Sequence, residues 1–354
     1  MPDTLKPETL AIHADDAVES APDVAPPLHV SATYLAGNAD GLVYGRIDQI
    51  TRRRLERVLG ALEGGHAIAY ASGMAAVHAA LHHWRPKRVL IEGGYYNTHV
   101  LIERFRADGI AKAPLDASPR AGDLVWLETP KNPTAELADI ADFARRAHAA
   151  GAVLAVDSTF ATPVLQQPLA LGADLVMHSS TKFLSGHSDV TGGVLAVRDE
   201  ALAEALRQER TLLGAVPGAL ETWLTLRSLR TLGLRVTRQS ENAARVAGWL
   251  HGKVPRVWHP SLPDDPGHAL LGRQMRGGGG VLSIELESER AASALPARLR
   301  LFRDATSLGG VESLIDWRYR YDKAAPPALL RLSIGLEAPE DLIADLAQGL
   351  DRRG

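Results

Sequence analysis

Between residues 66 and 197 six short apolar runs recur: "HAIAYAS", "RVLIE", "DLVWLE", "AVLAVD", "ADLVMHS" and "GGVLAVR". Most are too short for a helix and too continuous in apolar character for a strand with one wet face. Such runs fit strands buried on both sides. Helical stretches lie between them: "AELADIADFARRAHAAG", for example, has helical spacing and a terminal Gly151. Parallel neighbours need crossover connections, and helices supply them, so the alternation predicts a mostly parallel sheet covered on both faces. Upstream, "TRRRLERVLGALEGG" reads as a helix stopped by Gly64 and Gly65, and its basic run Arg52 to Arg54 as a solvated face, with a subunit contact as the other reading.

The rhythm differs at the two ends. Residues 1–43 carry scattered prolines and no long period, and "APDVAPPLHVSATY" reads as an extended arm. Residues 217–251 hold long helical patterns, followed by a proline-rich stretch, the run Gly277 to Gly280, the strand-like "VLSIELE" and "LLRLSIGLE", and a final helix in "PEDLIADLAQGLDRRG". The expected layout is an arm (1–43), an α/β domain (44–215) and a smaller α+β domain (216–354). Patterned segments flank the four glycines closely, which marks a turn or close backbone approach rather than a linker.

Composition narrows the chemistry. The 354 residues contain no cysteine, which removes disulfides, thiolate metal sites and a cysteine nucleophile. A formal net charge of −3 gives no electrostatic case for nucleic acid or an anionic membrane. The polar, acidic start "MPDTLKPETLAIHADD" lacks a signal-peptide core, and no apolar run reaches the length of a membrane span, so a soluble cytoplasmic protein is expected. His78 and His82 stand four apart, a spacing that can ligate metal, but no HExxH carboxylate accompanies them, and satisfied or surface histidines are the better reading.

In an open parallel sheet, ligands bind beyond the carboxyl ends of the strands. Those ends here are Ser72-Gly73-Met74, Glu128 to Pro133, Asp157-Ser158-Thr159 and Ser179 to Lys182. Lys182 sits in "HSSTKFLSGHSD", among hydroxyls and glycines; taken out of water, its amine becomes a nucleophile that can bond to an aldehyde, whereas in water it is an ordinary loop lysine. Ser72-Gly73 opens a helix, where it can hold a phosphate or serve only as a cap. Asp157 ends an apolar strand, where a carboxylate needs a cation or hydrogen bonds; a protonated ring nitrogen, a helix cap and a core ion pair are all open. Together, a lysine for an aldehyde, an aspartate for a pyridinium and a glycine turn with hydroxyls for a phosphate match pyridoxal 5′-phosphate.

At these residues the chain resembles the Cys/Met-metabolism family of pyridoxal-phosphate enzymes, which includes cystathionine γ-synthases, γ-lyases and β-lyases. The resemblance runs from about Tyr44 to about Leu350, and "VDSTFATPVLQQPLALGADLVMHSSTKFLSGHSDVTGG" is its most specific stretch. It implies the fold-type-I, aspartate-aminotransferase-like architecture: a mostly parallel seven-stranded sheet with a smaller C-terminal domain. It makes Lys182 the residue bonded to the cofactor aldehyde and Asp157 the partner of the pyridine nitrogen. "YASGMAA" puts Ser72, Gly73 and Met74 at the phosphate with Ser179 and Thr181, and Thr159 joins the cofactor set. "IEGGYYNT" makes Tyr96 the residue that stacks on the ring and assists proton transfer. "LETPKNPT" places Asn132 near the ring oxygen. "TSLGGVESL" and "LLRLSIGLE" supply Ser307 and Arg331, together with Asn132, for the substrate's α-carboxylate. "GLVYGRIDQIT" implies that Tyr44 and Arg46 reach a neighbour's phosphate, so the active unit would be a homo-oligomer, a dimer of dimers with shared sites.

The chain also departs from the family pattern. "IDQITR" replaces the usual "SGNPTR" and lies nearer the β-lyases, while "SLGGV" is the γ-type version of a segment that β-lyases write "SWGGY". Acidic residues that help γ-type members hold cystathionine's distal ammonium are replaced by Val43 and Thr306. After "ESLIDW" the chain runs through "RYRYDKAAPP" without the "THA" stretch of γ-type members. The expectation is γ-elimination or γ-replacement on cystathionine or an O-acylhomoserine, with β-cleavage of cystathionine as the alternative and a catalytically silent cofactor-binding protein behind both.

Overall fold

The structure, a computed structural model, describes residues 5–18 and 22–351. All six apolar runs form strands: β1 (His66–Tyr70), β2 (Arg88–Leu90), β4 (Asp123–Glu128), β5 (Val153–Asp157), β6 (Leu175–His178) and β7 (Gly193–Val197). A seventh, the edge strand β3 (Ala111–Ala113), was not legible in the sequence because two of its three residues are exposed. The sheet order is β1-β7-β6-β5-β4-β2-β3. Only β7 runs antiparallel to its neighbours, β1 and β6; every other pair is parallel. The central strands β4, β5 and β6 are almost wholly buried, as runs without polar alternation require. Helix Gly73–Trp84 and helix Glu200–Leu213 pack over Tyr70, Trp126 and Leu195 on one side, and helix Ile140–Ala149 packs over Val125, Leu154 and Val176 on the other.

The second sheet has five strands in the order β10-β11-β12-β9-β8. They are β8 (Arg256–Trp258), β9 (Val281–Glu285), β10 (Arg303–Asp304), β11 (Leu314–Trp317) and β12 (Leu329–Ser333). Helices Leu232–Leu250 and Pro339–Asp351 cover it through Val246, Leu250, Leu342 and Leu346. Within the glycine run, a Cβ on Gly278 would come 2.4 Å from the buried His259 ring, and one on Gly280 would lie 3.0 Å from Phe183. Close approach is therefore what those glycines permit.

The N-terminal segment is not wholly extended. Pro7–His13 is a helix, and Asp15 behind it is fully buried, pairing with Arg54 at 3.2 Å and Arg230 at 2.8 Å. Those contacts overturn the solvated reading of the basic run. Arg52 and Arg54 are only 2% and 6% exposed; Arg52 donates to Gly45 O at 2.9 Å, and Arg53 pairs with Asp48. A basic run on a helix reads as wet, yet this one meets Asp15 of the arm and, just before the helix, Gly45 O and Asp48. Among the described residues no helix is long and apolar enough to cross a membrane.

At the top of the large sheet β7 lies against the turn that leads into helix Gly73–Trp84. A Cβ on Gly193 would stand 2.2 Å from Ser72 O and 2.8 Å from the Gly73 Cα, both backbone atoms. Gly193→Ala is therefore expected to lower stability by about 1–3 kcal/mol in urea unfolding. Gly248, exposed in its helix with nothing within 4 Å of an added Cβ, is the control. Gly248→Ala should raise stability by about 0.5–1 kcal/mol through helix propensity.

Candidate active site

The carboxyl ends of β4, β5 and β6 open into a cavity of about 340 Å³ whose far wall belongs to the small sheet. The sequence-derived residues Ser72, Gly73, Met74, Asn132, Asp157, Thr159, Ser179, Thr181, Lys182, Ser307 and Arg331 all line it. Tyr44, Arg46 and Tyr96 do not. Tyr95 takes the wall position expected of Tyr96, while Tyr96 begins the next helix, with the two rings 5.6 Å apart edge to face. Tyr44 and Arg46 lie away from the cavity: the Arg46 guanidinium is 5.7 Å from the Tyr44 ring and donates to Thr211 O at 3.1 Å.

Lys182 sits in the loop from β6 to β7. Arg235, buried behind that loop, donates to Phe183 O at 2.8 Å and Ser228 O at 2.9 Å. Its guanidinium passes so close to Gly186, at φ 65°, that a Cβ there would collide with it. Thus fixed, the Lys182 amine donates to Ser307 Oγ at 2.7 Å. Ser307 itself has φ 86°, a left-handed conformation unfavourable for a residue with a Cβ. Burial, then the positive charges of Arg331 and Arg318, push the Lys182 amine down to about 8.

The cavity also holds two acids, at the ends of β4 and β5. Asp157 Oδ1 accepts from Thr159 N at 3.0 Å and Thr159 Oγ1 at 2.6 Å, and Thr159 Oγ1 in turn accepts from Ser179 N at 2.9 Å. Of the roles left open for Asp157, this is local hydrogen bonding, without an ion pair among the described residues. Burial pushes its carboxyl up, against those Thr159 bonds. Beside it in register stands Glu128, pushed up to about 8 by burial and by the Asp157 charge. Glu128 ties two loops together, accepting from Tyr95 N and Asn132 N, each at 2.8 Å. Asn132 Oδ1 then accepts from Arg331 Nη1 at 2.8 Å. Ser72 caps its helix, accepting from Ala75 N at 3.1 Å, and a Cβ on Gly73 would lie 3.2 Å from Ser179. His78 and His82 stack at 6.0 Å and His82 bonds Glu209 at 2.8 Å, away from this site.

These residues fit pyridoxal phosphate. Asp157 is buried without an ion pair among the described residues and stands in register with Glu128, and a protonated ring nitrogen would supply a cation there. A helix N-terminus with the Gly73 turn, Ser179 and Thr181 offers N–H and O–H donors for a phosphate. The amine lines the same cavity as the acids.

A sequence model of the family described as "Cys/Met metabolism PLP-dependent enzyme" matches residues 8–351. The chain belongs to that family. It is 42% identical over 377 residues to the cystathionine gamma-synthase of Mycobacterium tuberculosis, covering 97% of this chain and 96% of that protein. It is 37% identical over 378 residues to the cystathionine beta-lyase of Coxiella burnetii, covering 97% of each. The crystal structure of metB from Corynebacterium glutamicum superposes with a TM-score of 0.96 at 34% identity, over 100% of both chains. The protein is thus a pyridoxal-phosphate-dependent enzyme of cysteine and methionine metabolism, and it has the mostly parallel α/β fold of that family.

Sequence reasoning missed Tyr95, the clamp made by Glu128, and Arg318, which lines the cavity beside Arg331. Glu128 was legible as a strand end in "LETP". Arg318 falls in "RYRYDKAAPP", outside the motifs that carry the resemblance, so no motif pointed to it.

The lowered Lys182 amine has a readable consequence. With an ordinary value near 10.5 a lysine is almost wholly protonated at pH 7, whereas at about 8 roughly a tenth is neutral. Borohydride-fixed incorporation of pyridoxal phosphate into cofactor-free protein should rise with pH through a midpoint near 8 and appear on the Lys182 peptide. The sign for stability is the same: the folded value is depressed, so the cofactor-free protein loses stability as pH falls from 10.5 through about 8.

Proposed function

We propose that the chain is a cytoplasmic transsulfuration enzyme that makes or breaks the C–S bond of a sulfur amino acid, by γ-elimination or γ-replacement on cystathionine or an activated homoserine. The observation that carries this reading is the Lys182 amine, desolvated, 2.7 Å from Ser307 and sharing its cavity with Arg331. Residues 44–215 would hold the cofactor and residues 216–354 would close over it. Ser72, Gly73, Met74, Ser179 and Thr181 would hold the phosphate, and Asp157, braced by Thr159, the proton on the ring nitrogen. Asn132 would stand by the ring oxygen, with Tyr96 and its neighbour Tyr95 at the ring face.

When bound, pyridoxal phosphate supplies an electron sink for charge developing at the substrate's α-carbon. Lys182, part neutral near pH 7, takes the α-proton. Arg331 binds the α-carboxylate with its planar fork, flanked by Ser307 and Asn132. Expulsion of a γ-substituent needs a second proton moved at the β-carbon, for which Lys182 and the tyrosine pair are the available groups. The segments around Lys182 and Ser307 favour γ-chemistry, whereas the uncharged Thr306 on the cavity wall favours β-cleavage as the second reading.

Products decide between them. Cystathionine should yield cysteine and 2-oxobutyrate; homocysteine and pyruvate would instead establish β-cleavage. Lys182→Ala should lower either rate by about 10²–10⁴-fold or more, and retention of full activity would remove Lys182 from the mechanism.

Tyr44 and Arg46 would complete the phosphate site of a neighbouring subunit, in a dimer of dimers. Their position off this chain's own cavity supports that reading. Mixing inactive Arg46→Ala with inactive Lys182→Ala subunits should restore activity, because one mixed site is then intact. Verified subunit exchange without recovery would exclude a shared site.

A further inference from the structure

One buried polar pair lies outside the cavity. Glu63 closes helix Ile50–Glu63, and Gly64, at φ 75°, turns the chain back immediately after it. A Cβ on Gly65 would collide with Val197 O, so glycine is what lets the helix end come this close to β7. There Glu63 Oε1 meets His178 Nε2 at 2.6 Å, with the His178 and Glu63 side chains 1% and 0% exposed. A carboxylate accepts, so the Nε2 proton belongs to the imidazole. Glu63 Oε2 and His178 Nδ1 are buried with no hydrogen-bond partner among the described residues. Replacing a buried pair of this kind by apolar side chains of similar volume is often neutral or stabilising, so stability alone does not account for it.

Its position does. His178 is the last residue of β6, and the residue before it, Met177, stands in register with Asp157 and lines the cavity. Successive strand residues face opposite sides, so His178 lies on the face of the sheet turned away from the cavity. From there a short chain of contacts runs forward. The next N–H, that of Ser179, donates to Thr159 Oγ1 at 2.9 Å, and Thr159 Oγ1 donates to Asp157 Oδ1 at 2.6 Å. Both Thr159 bonds fall on Oδ1, which leaves Asp157 Oδ2 without a protein partner among the described residues. Burial pushes the Asp157 carboxyl up; the Thr159 bonds and, after them, the charge of His178 pull it back.

We infer that His178, held by Glu63, is a positioning residue for the cofactor's ring nitrogen: it fixes the end of β6 so that Ser179 and Thr159 present Asp157 Oδ2 to that nitrogen. The inference rests on the reading of Asp157 as the partner of the ring nitrogen. His178 touches neither cofactor nor substrate; it acts through the peptide that follows it, and its positive charge lies behind the carboxylate. Glu63 fixes the imidazole in turn.

Pyridoxal phosphate and its 1-deaza analogue, in which C–H replaces the ring nitrogen, test this through their dissociation constants for the full chain freed of cofactor, without turnover. The wild-type protein should hold pyridoxal phosphate about tenfold more tightly than the analogue, the worth of one charge-assisted contact. Asp157→Asn should remove that margin. His178→Leu should cut it to about threefold or less, as expected for a coupled neighbour, and leave the analogue's constant little changed. Glu63→Gln, which keeps the volume of the pair, should act in the same direction, and it decides the matter if His178→Leu does not fold. A margin that survives in the folded variants of this pair would overturn the inference. So would an equal loss for the two ligands, the mark of a pair that only supports the fold. Absence of the margin from wild-type protein, or its survival in Asp157→Asn, would instead refute the reading of Asp157 and the inference with it.

Discussion

A lysine amine held out of water between two sheets is the constraint on which the site depends. It lowers the amine's affinity for protons, and it obliges the surroundings to satisfy whatever charge remains. Ser307 Oγ meets the amine from the small sheet, Arg235 fixes its loop from behind, and the adjacent guanidiniums repel the protonated form. Ser307 holds its place in a left-handed conformation at φ 86°, a cost the rest of the fold must offset. The large sheet could not produce this environment alone, because the far wall is built more than a hundred residues later in the chain.

The other half of the site solves the opposite problem. Asp157 and Glu128 are acids forced together by strand register, and each is driven toward its protonated form. Thr159 relieves Asp157 through two hydrogen bonds, and Glu128 is relieved by the backbone N–H groups of two loops. Through Glu128 the loop bearing Tyr95 and the loop bearing Asn132 share an anchor, and through Asn132 that anchor reaches Arg331.

How much of this was legible in the sequence follows from how each residue is constrained. The interior strands were plain because burial on both faces forces unbroken apolar runs; β3, β8 and β10 were not, because short strands at a sheet edge can be largely wet. Lys182, Asp157, Ser307 and Arg331 were visible through local context and a family pattern, and the cavity gathers them all. Arg52 and Arg54 read as solvated because no local period records where their acceptors lie: Gly45 O in the turn before the helix for Arg52, and Asp15 in the distant arm for Arg54. Tyr95 and Tyr96 differ by one position at a helix start, and a motif cannot say which of two adjacent rings turns inward. Arg318 belongs to a segment outside the motifs read in the sequence, so only three-dimensional proximity brings it to the cavity.

That proximity ties the charge of the cavity wall to the acidity of the lysine. Arg318 and Arg331 line the cavity from the small-sheet side, and their charge also helps set how readily Lys182 gives up its proton. A lineage that lost Arg318 would make the lysine more basic in the same stroke. Its working range would then move to more alkaline conditions, and restoring it would demand a compensating change elsewhere around the amine. Any change on that wall that alters its charge therefore reaches the lysine as well.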